Sequence, residues 1–359
     1  MNKRWVQRAA AGFVVFVCTL LLFWMPVKAE TARDDADVRR IMEQAFANGD
    51  TQVSITIERT FSVDGYQARQ EADGYANELF VLLQESALKY GRLMRVSQPA
   101  YSYEIPGHRE SITYKFDISP QLTKKVTVLT SEKTAYAQAV KALKNRAYST
   151  EFYAEDGMYY DTFYLALQQH PEYNYDLGIW RGTDGTFGYR PVGELSISGI
   201  KSKMKQANTK AAAVIKKIIK KNMTNKQKLQ AIHDYLVKNC AYDKDALPGR
   251  YDDAFTAYGC LINKKAVCQG YAAAFNLLAA KAGIRSIAVC GKADGDSHAW
   301  NYVKNGSAYR YIDATWDDPL PDQGANAPVS HKYFYLTETQ LKNLHTHTWN
   351  KADNAKKYL

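Results

Sequence analysis

The sequence is poor in the residues that bind structural metals. It has five cysteines and seven histidines in 359 residues, with no Cys-x-x-Cys and no His-x-x-x-His pair among them. That gives zinc no ligand set of familiar spacing, and neither a metal nor a cofactor is expected. Beyond residue 29 there is no apolar run of spanning length, so any membrane contact is left to the N-terminal segment. The net charge is +10, but no basic motif is interleaved with aromatics, which argues against nucleic acid as a partner. Hydrophobic content of 46% and charged content of 23% are those of an ordinary folded protein.

Residues 1–29 read as a signal peptide or a membrane anchor. Lys3, Arg4 and Arg8 precede an apolar stretch over 9–25, and Val27-Lys28-Ala29 fits a small-residue cleavage site. Export follows as an expectation, to a secreted or cell-surface location. Taking away the four basic residues Lys3, Arg4, Arg8 and Lys28 lowers the charge from +10 to +6. Much of the remainder lies on a Lys-rich helix expected over 210–221, with Lys216-Lys217 and Lys220-Lys221. It is a solvated face or an attractor of anionic wall or membrane surface.

The informative stretch runs from Ala266 to Pro319. Cys268, His298 and Asp313 occur in that order, separated by 30 and 15 positions. After Gly270-Tyr271 the chain reads Ala-Ala-Ala-Phe-Asn-Leu-Leu-Ala-Ala-Lys-Ala and then Gly283, a run of helix formers stopped by glycine. Cys268 therefore falls in the first turn, where free N–H groups and the helix dipole favour thiolate over thiol. Gly270 is read as leaving room beside the sulfur. Residues 284–290 and 298–303 have strand character, and Asn305-Gly306 signals a hairpin returning through 309–313. That hairpin would set His298 beside Asp313, and packing the helix on the sheet would bring the sulfur to the ring. Nucleophile, base and orienting acid would then be assembled. Trp300 and Trp316 are expected as aromatic walls, and Tyr258 and Gln269 as candidate second donors to an oxyanion.

These motifs resemble the transglutaminase-like superfamily, in its secreted branch from Gram-positive bacteria. The residues that carry the resemblance are Ala257-Tyr258-Gly259, Ala266-Val-Cys-Gln-Gly-Tyr-Ala272, Gly283-Ile284, His298-Ala-Trp-Asn301, Asp313-Ala-Thr-Trp-Asp-Asp-Pro319 and Ser330-His-Lys-Tyr-Phe334. Upstream, Gln230-Ala-Ile-His-Asp-Tyr-Leu-Val237 and Leu167-Gln-Gln-His-Pro-Glu-Tyr173 add to it, for a span of about 155–347. The resemblance implies an α+β protein with a papain-like core, the Cys helix packed on an antiparallel sheet. It implies Cys268 as nucleophile, His298 as base and Asp313 as third member, acting on protein or peptide amides by transfer or hydrolysis. The family also includes catalytically silent binding domains, so a scaffold at the cell surface stands as the alternative.

Around this core the expected organisation is an α+β accessory domain over 30–150, a second α+β unit over 151–222, the catalytic domain over 223–347 and a tail over 348–359. In the accessory domain, 34–47, 72–90 and 131–146 read as helices, the last capped by Ser131. Residues 52–58 alternate as a strand, and 101–105 with 111–117 flank Pro106-Gly107 as a hairpin. The next segment repeats the order: a short strand at 152–153, a helix over 159–169, a hairpin from 173–180 and 187–197, and a helix over 207–221. Residues 333–336 read as a last strand. His345 and His347 read as solvated residues near the end. Among Cys240, Cys260, Cys268 and Cys290, mostly buried free thiols are expected, Cys260–Cys290 being the least implausible bridge.

Overall fold

The computed structural model describes residues 29–58, 65–95, 101–104, 111–155, 159–175, 177–193, 195–246, 252–318 and 328–349. The expected leader (but for Ala29), the turn at Pro106-Gly107 and most of the C-terminal tail lie outside them. The chain forms two compact units, meeting between Val128 and Leu129.

In the first unit, Asp34 caps the helix Asp35–Asn48 by accepting from the Asp37 N–H, and Gly49 closes it at a φ of 75°. The long helix Gly65–Lys89 starts seven residues before the expected 72, since Gln67-Ala-Arg-Gln-Glu71 are themselves good helix formers. Both pack on a sheet ordered Glu30–Ala32, Gln52–Glu58, Ser111–Asp117, Tyr101–Glu104. Alternation in Ser111–Asp117 turns Ile112, Tyr114 and Phe116 into the core with Ile55 and Leu83.

The second unit begins with the helix Glu132–Asn145, which carries the expected Ser131 cap with Thr134 completing a capping box. This helix shares a core with Phe152, Phe163, Phe187 and Tyr189. The boundary consequently falls at 128, not at 150, and 151–222 forms no separate body. The strand–helix–hairpin–helix order does recur. In each case the second hairpin strand is central: Ser111–Asp117 in the first unit, and Phe187–Pro191 between Phe152–Tyr153 and Leu177–Arg181 here.

Two expectations fail beside it. The strand read over 187–197 stops at Pro191, and Ile197 opens the helix Ile197–Ile218, because the Ser196 hydroxyl caps it by accepting from the Gly199 N–H. That helix starts ten residues before the expected 207 and ends at Ile218. Ile219 is extended, so Lys220 and Lys221 lie beyond the helix.

The region around Cys268 is built on one buried helix, Cys268–Lys281. Tyr271, Ala274, Phe275 and Leu278 are sealed in a core shared with Leu229, Ile232 and Val214. Burying a side chain such as Phe275 contributes about 1.5–3 kcal/mol. The helices Ile197–Ile218 and Asn225–Asn239 pack against it, as do the strands Ser286–Ala293 and Asp296–Asn305. The sheet runs Ala308–Ile312, Asp296–Asn305, Ser286–Ala293, His347–Thr348, antiparallel throughout. Its first hairpin turns on Asp294 and Gly295 and its second uses Gly306, all with positive φ. The last strand expected over 333–336 does not form. Tyr335 takes a φ of 61°, which breaks the extended run and leaves a single bridge from Leu336 to Tyr311.

Gly270 serves packing, not the sulfur. A Cβ there would sit 2.2 Å from the Ala254 carbonyl oxygen and 2.9 Å from the Ala266 Cβ. Gly270→Ala is expected to cost about 1–3 kcal/mol, measurable as a lowered midpoint in chemical denaturation.

Candidate active site

Cys268 is the first residue of its helix. Val267 before it is extended and offers no side-chain cap, so the first-turn N–H groups beside the sulfur are not taken by a capping side chain. The thiol is half-buried, while Cys240 and Cys260 are buried and Cys290 is exposed; all four are free. The Cys260–Cys290 bridge is therefore not formed.

His298 comes from the strand Asp296–Asn305, opposite Gly291, and Asp313 directly follows the strand Ala308–Ile312. The His298 Nε2 donates to Asp313 Oδ2 at 2.7 Å. The other oxygen, Oδ1, accepts the backbone N–H groups of Thr315 at 3.0 Å and Trp316 at 3.1 Å. Burial pushes the Asp313 carboxyl up, but the hydrogen bonds and charges of its two imidazole neighbours outweigh that and hold it at about 2. It is therefore an ionised acceptor, and the nitrogens facing it carry protons. Burial likewise lowers His298, but hydrogen bonds to Asp313 and Cys268, and their charges, raise it to about 9. Cys268 thus bears on the proton affinity of the ring, and with Nε2 taken by Asp313 it is Nδ1 that is left for the sulfur.

The sign of that shift is testable. His298 is expected to hold its second proton at neutral pH and to lose it as the pH rises through about 9. An NMR titration of the side chain reads this directly, and a midpoint near 6.5 would contradict it.

The structure corrects the reading of His347. It is buried, not solvated, with its Nε2 donating to the same Asp313 Oδ2 at 2.9 Å. His345, two residues earlier, is exposed. Trp300 is fully buried and stacks beside His298 with ring centroids 5.8 Å apart, so it is core beneath the site and not an open wall. Trp316 is half-buried, 5.8 Å from the His298 ring and 4.9 Å from that of His347.

The two candidate oxyanion donors separate. Tyr258 packs with Tyr175, Ile200 and Met204 and lies under the Lys203 ammonium. Gln269 instead borders a cavity of about 230 Å³, lined also by Tyr164, Gln168, Thr256, Cys290 and Ala299, the neighbour of His298. A residue that sequence reasoning passed over is Tyr242, on the strand Ala241–Tyr242 that pairs with Lys265–Ala266. Burial and then the charge of Cys268 push its phenol up, which places it within electrostatic reach of the sulfur.

Among the described residues two His–Asp–His groups bring donor atoms within 4.8 Å of one another: His298, Asp313, His347 and His233, Asp234, His331. In both, the same atoms are joined by hydrogen bonds. No described helix is long and apolar enough to cross a membrane.

A helix-borne thiol against an imidazole–carboxylate pair on an antiparallel sheet is the arrangement of a papain-like core. Residues 212–315 match the model of the transglutaminase-like superfamily, and the α+β fold is consistent with a papain-like core. The chain is 25% identical over 129 residues to the Kyphoscoliosis peptidase of Mus musculus, covering 32% of this chain and 20% of that protein. It thus spans about a fifth of that relative's length. Among solved structures, a TGase aligns over 85% of this chain and 62% of its own at 13% identity and a TM-score of 0.28. A candidate cysteine protease from Cytophaga hutchinsonii aligns over 40% of this chain and 62% of its own at 17% identity and a TM-score of 0.27.

Proposed function

We propose that the protein is an exported cysteine enzyme that transfers or hydrolyses acyl groups from protein or peptide amides, with Cys268 as nucleophile. The observation that carries this reading is the His298 imidazole bonded to an ionised carboxylate, its proton affinity raised also by a thiol at an uncapped helix start. The Cys268 sulfur attacks the carbonyl carbon and the bond from sulfur to carbon forms. The oxyanion is held by the Cys268 N–H and a second donor, for which the Gln269 side chain is better placed than Tyr258. As the carbon–nitrogen bond breaks, the His298 imidazolium passes its proton to the leaving amine or ammonia. Water or a primary amine then attacks the thioester, gives a proton to His298 and releases the sulfur. Asp313 holds the ring throughout and stabilises its charge.

Export rests on the basic and apolar character of residues 1–29, and the cell wall of a Gram-positive bacterium is the setting the sequence motifs favour. Exposed Lys201, Lys205, Lys216 and Lys217 on the helix Ile197–Ile218 would hold the protein to an anionic surface.

The test is mass spectrometry of glutamine-containing peptides incubated with the purified protein, with and without a primary amine. Amine incorporation identifies a transferase, deamidation or cleavage a hydrolase. If no product forms and Cys268→Ala leaves every cellular phenotype unchanged, the domain is a silent scaffold and the proposal fails.

A further inference from the structure

The chemistry above uses one imidazole, yet the buried carboxylate carries two. His298 and His347 both donate through Nε2 to Asp313 Oδ2, at 2.7 and 2.9 Å. The His347 side chain is wholly buried. Its far nitrogen, Nδ1, is 2.9 Å from Thr346 Oγ1. That hydroxyl donates to Nδ1 and fixes Nε2 as the protonated nitrogen. Aromatic rings hold the imidazole in place: Trp300 and Trp316 at 4.9 Å and Tyr333 at 5.3 Å between centroids. The segment is anchored to the sheet edge, Lys292 facing Thr348 and Ala293 facing His347. The Asp294 N–H donates to the Thr346 carbonyl at 2.9 Å. A ring so fixed, with one polar edge aimed at one oxygen, does more than fill space.

A carboxylate oxygen that accepts two N–H donors gives each of them less than it would give one alone. We propose that His347 is a positioning residue that sets the proton affinity of His298 by sharing the Asp313 Oδ2 atom. It aims the carboxylate and keeps it from holding the His298 proton too tightly for release to a leaving amine. The inference rests on the catalytic reading of Cys268 for its consequence, but not for its geometry. The other titratable groups around the carboxylate are Cys268 on the buried helix, Tyr242 on the short strand before it and Tyr333 on the segment bonded to Asp313. Asp243 and Asp296 lie on the Tyr242 side.

The experiment is an NMR titration of the His298 side chain in the full chain and in three variants, paired with the pH profile of Cys268 alkylation. His347→Phe removes the donor and keeps an aromatic ring in the cage. His298 is expected to hold its proton about tenfold more tightly, an upward move of about one pH unit. His347→Gln places an amide N–H where Nε2 was and is expected to restore the parent midpoint. Should His347→Phe fail to fold, Thr346→Val is the second probe. Without the hydroxyl on Nδ1, the His347 N–H is a poorer partner for Oδ2, and an upward move of about twofold in proton affinity is expected. A His298 midpoint unchanged in His347→Phe, or in Thr346→Val where the former does not fold, overturns the proposal and leaves His347 a packing residue. Loss of Cys268 alkylation in the parent protein would count against the catalytic reading instead, while the titration still decides the role of His347.

Discussion

Asp313→Asn is expected to lower kcat/KM by about 10³–10⁴-fold, the scale seen when a triad acid becomes an amide. The reason lies in the four donors that converge on the side chain. Oδ1 accepts two backbone N–H groups and Oδ2 accepts two imidazole N–H groups. An amide has one oxygen, so its NH₂ group must face either the backbone pair or both imidazoles. Each orientation sets donors against donors in a buried site, where an unmade hydrogen bond costs about 1–3 kcal/mol. His298 loses the charge that raises it to about 9 and is expected to titrate lower. Rates on a glutamine peptide, with the His298 titration beside them, check this. A loss under tenfold would mean that Asp313 only shapes the loop.

The second large effect lies outside the site. His233, on the helix Asn225–Asn239, is fully buried between Asp234 at 3.0 Å and Asp317 at 3.1 Å. Asp317 is fully buried as well and accepts the Tyr333 N–H at 3.1 Å and the Ser330 hydroxyl at 2.6 Å. Its own N–H donates to the Asp313 carbonyl at 3.3 Å, tying this knot to the loop that carries Asp313. His233→Ala leaves the Asp317 carboxylate without its cation and is expected to destabilise the protein by about 3–5 kcal/mol. Burial lowers His233, but the two carboxylates outweigh it and raise the imidazole above its ordinary range.

A raised folded-state value fixes the direction of the pH effect. The contribution of His233 is fully present below its unfolded value, about 6.5, and is lost as the pH rises through the higher folded one. Asp234 works the other way. Burial raises it, but His233 and His331 pull it below the usual carboxylate range, so its contribution is lost only in acid. Denaturant titrations at pH 6 and pH 9 should show the native protein losing stability at the higher pH, with a smaller change in His233→Ala. Equal pH dependence in the two would place the effect elsewhere.

The parts of the fold that could be read from the sequence are those set by local chemistry. The cap at Ser131, the hairpin at Gly306 and the helix behind Cys268 depend on residues within a turn or two of one another. The misreadings have tertiary causes or come from competing local signals. At Ile197 a β-branched residue reads as strand, yet Ser196 before it caps a helix. At Tyr335 a run of apolar residues is broken by a positive φ that aromatic composition does not announce. His347 sits among polar residues, alternates with His345 and lies 34 positions beyond Asp313. Only the pairing of a two-residue strand with Lys292 and Ala293 buries it. No periodicity in so short a segment points inward, so the second imidazole on Asp313 was not visible in the sequence.

The decisive measurement is iodoacetamide labelling followed by peptide mapping of the four thiols. Exposure alone favours Cys290. The account predicts that Cys268 is modified first, and that His298→Ala slows Cys268 at least about tenfold, the lower edge of what a positioned base contributes, without slowing Cys290. Labelling of Cys290 ahead of Cys268, or a Cys268 rate indifferent to His298, would contradict it.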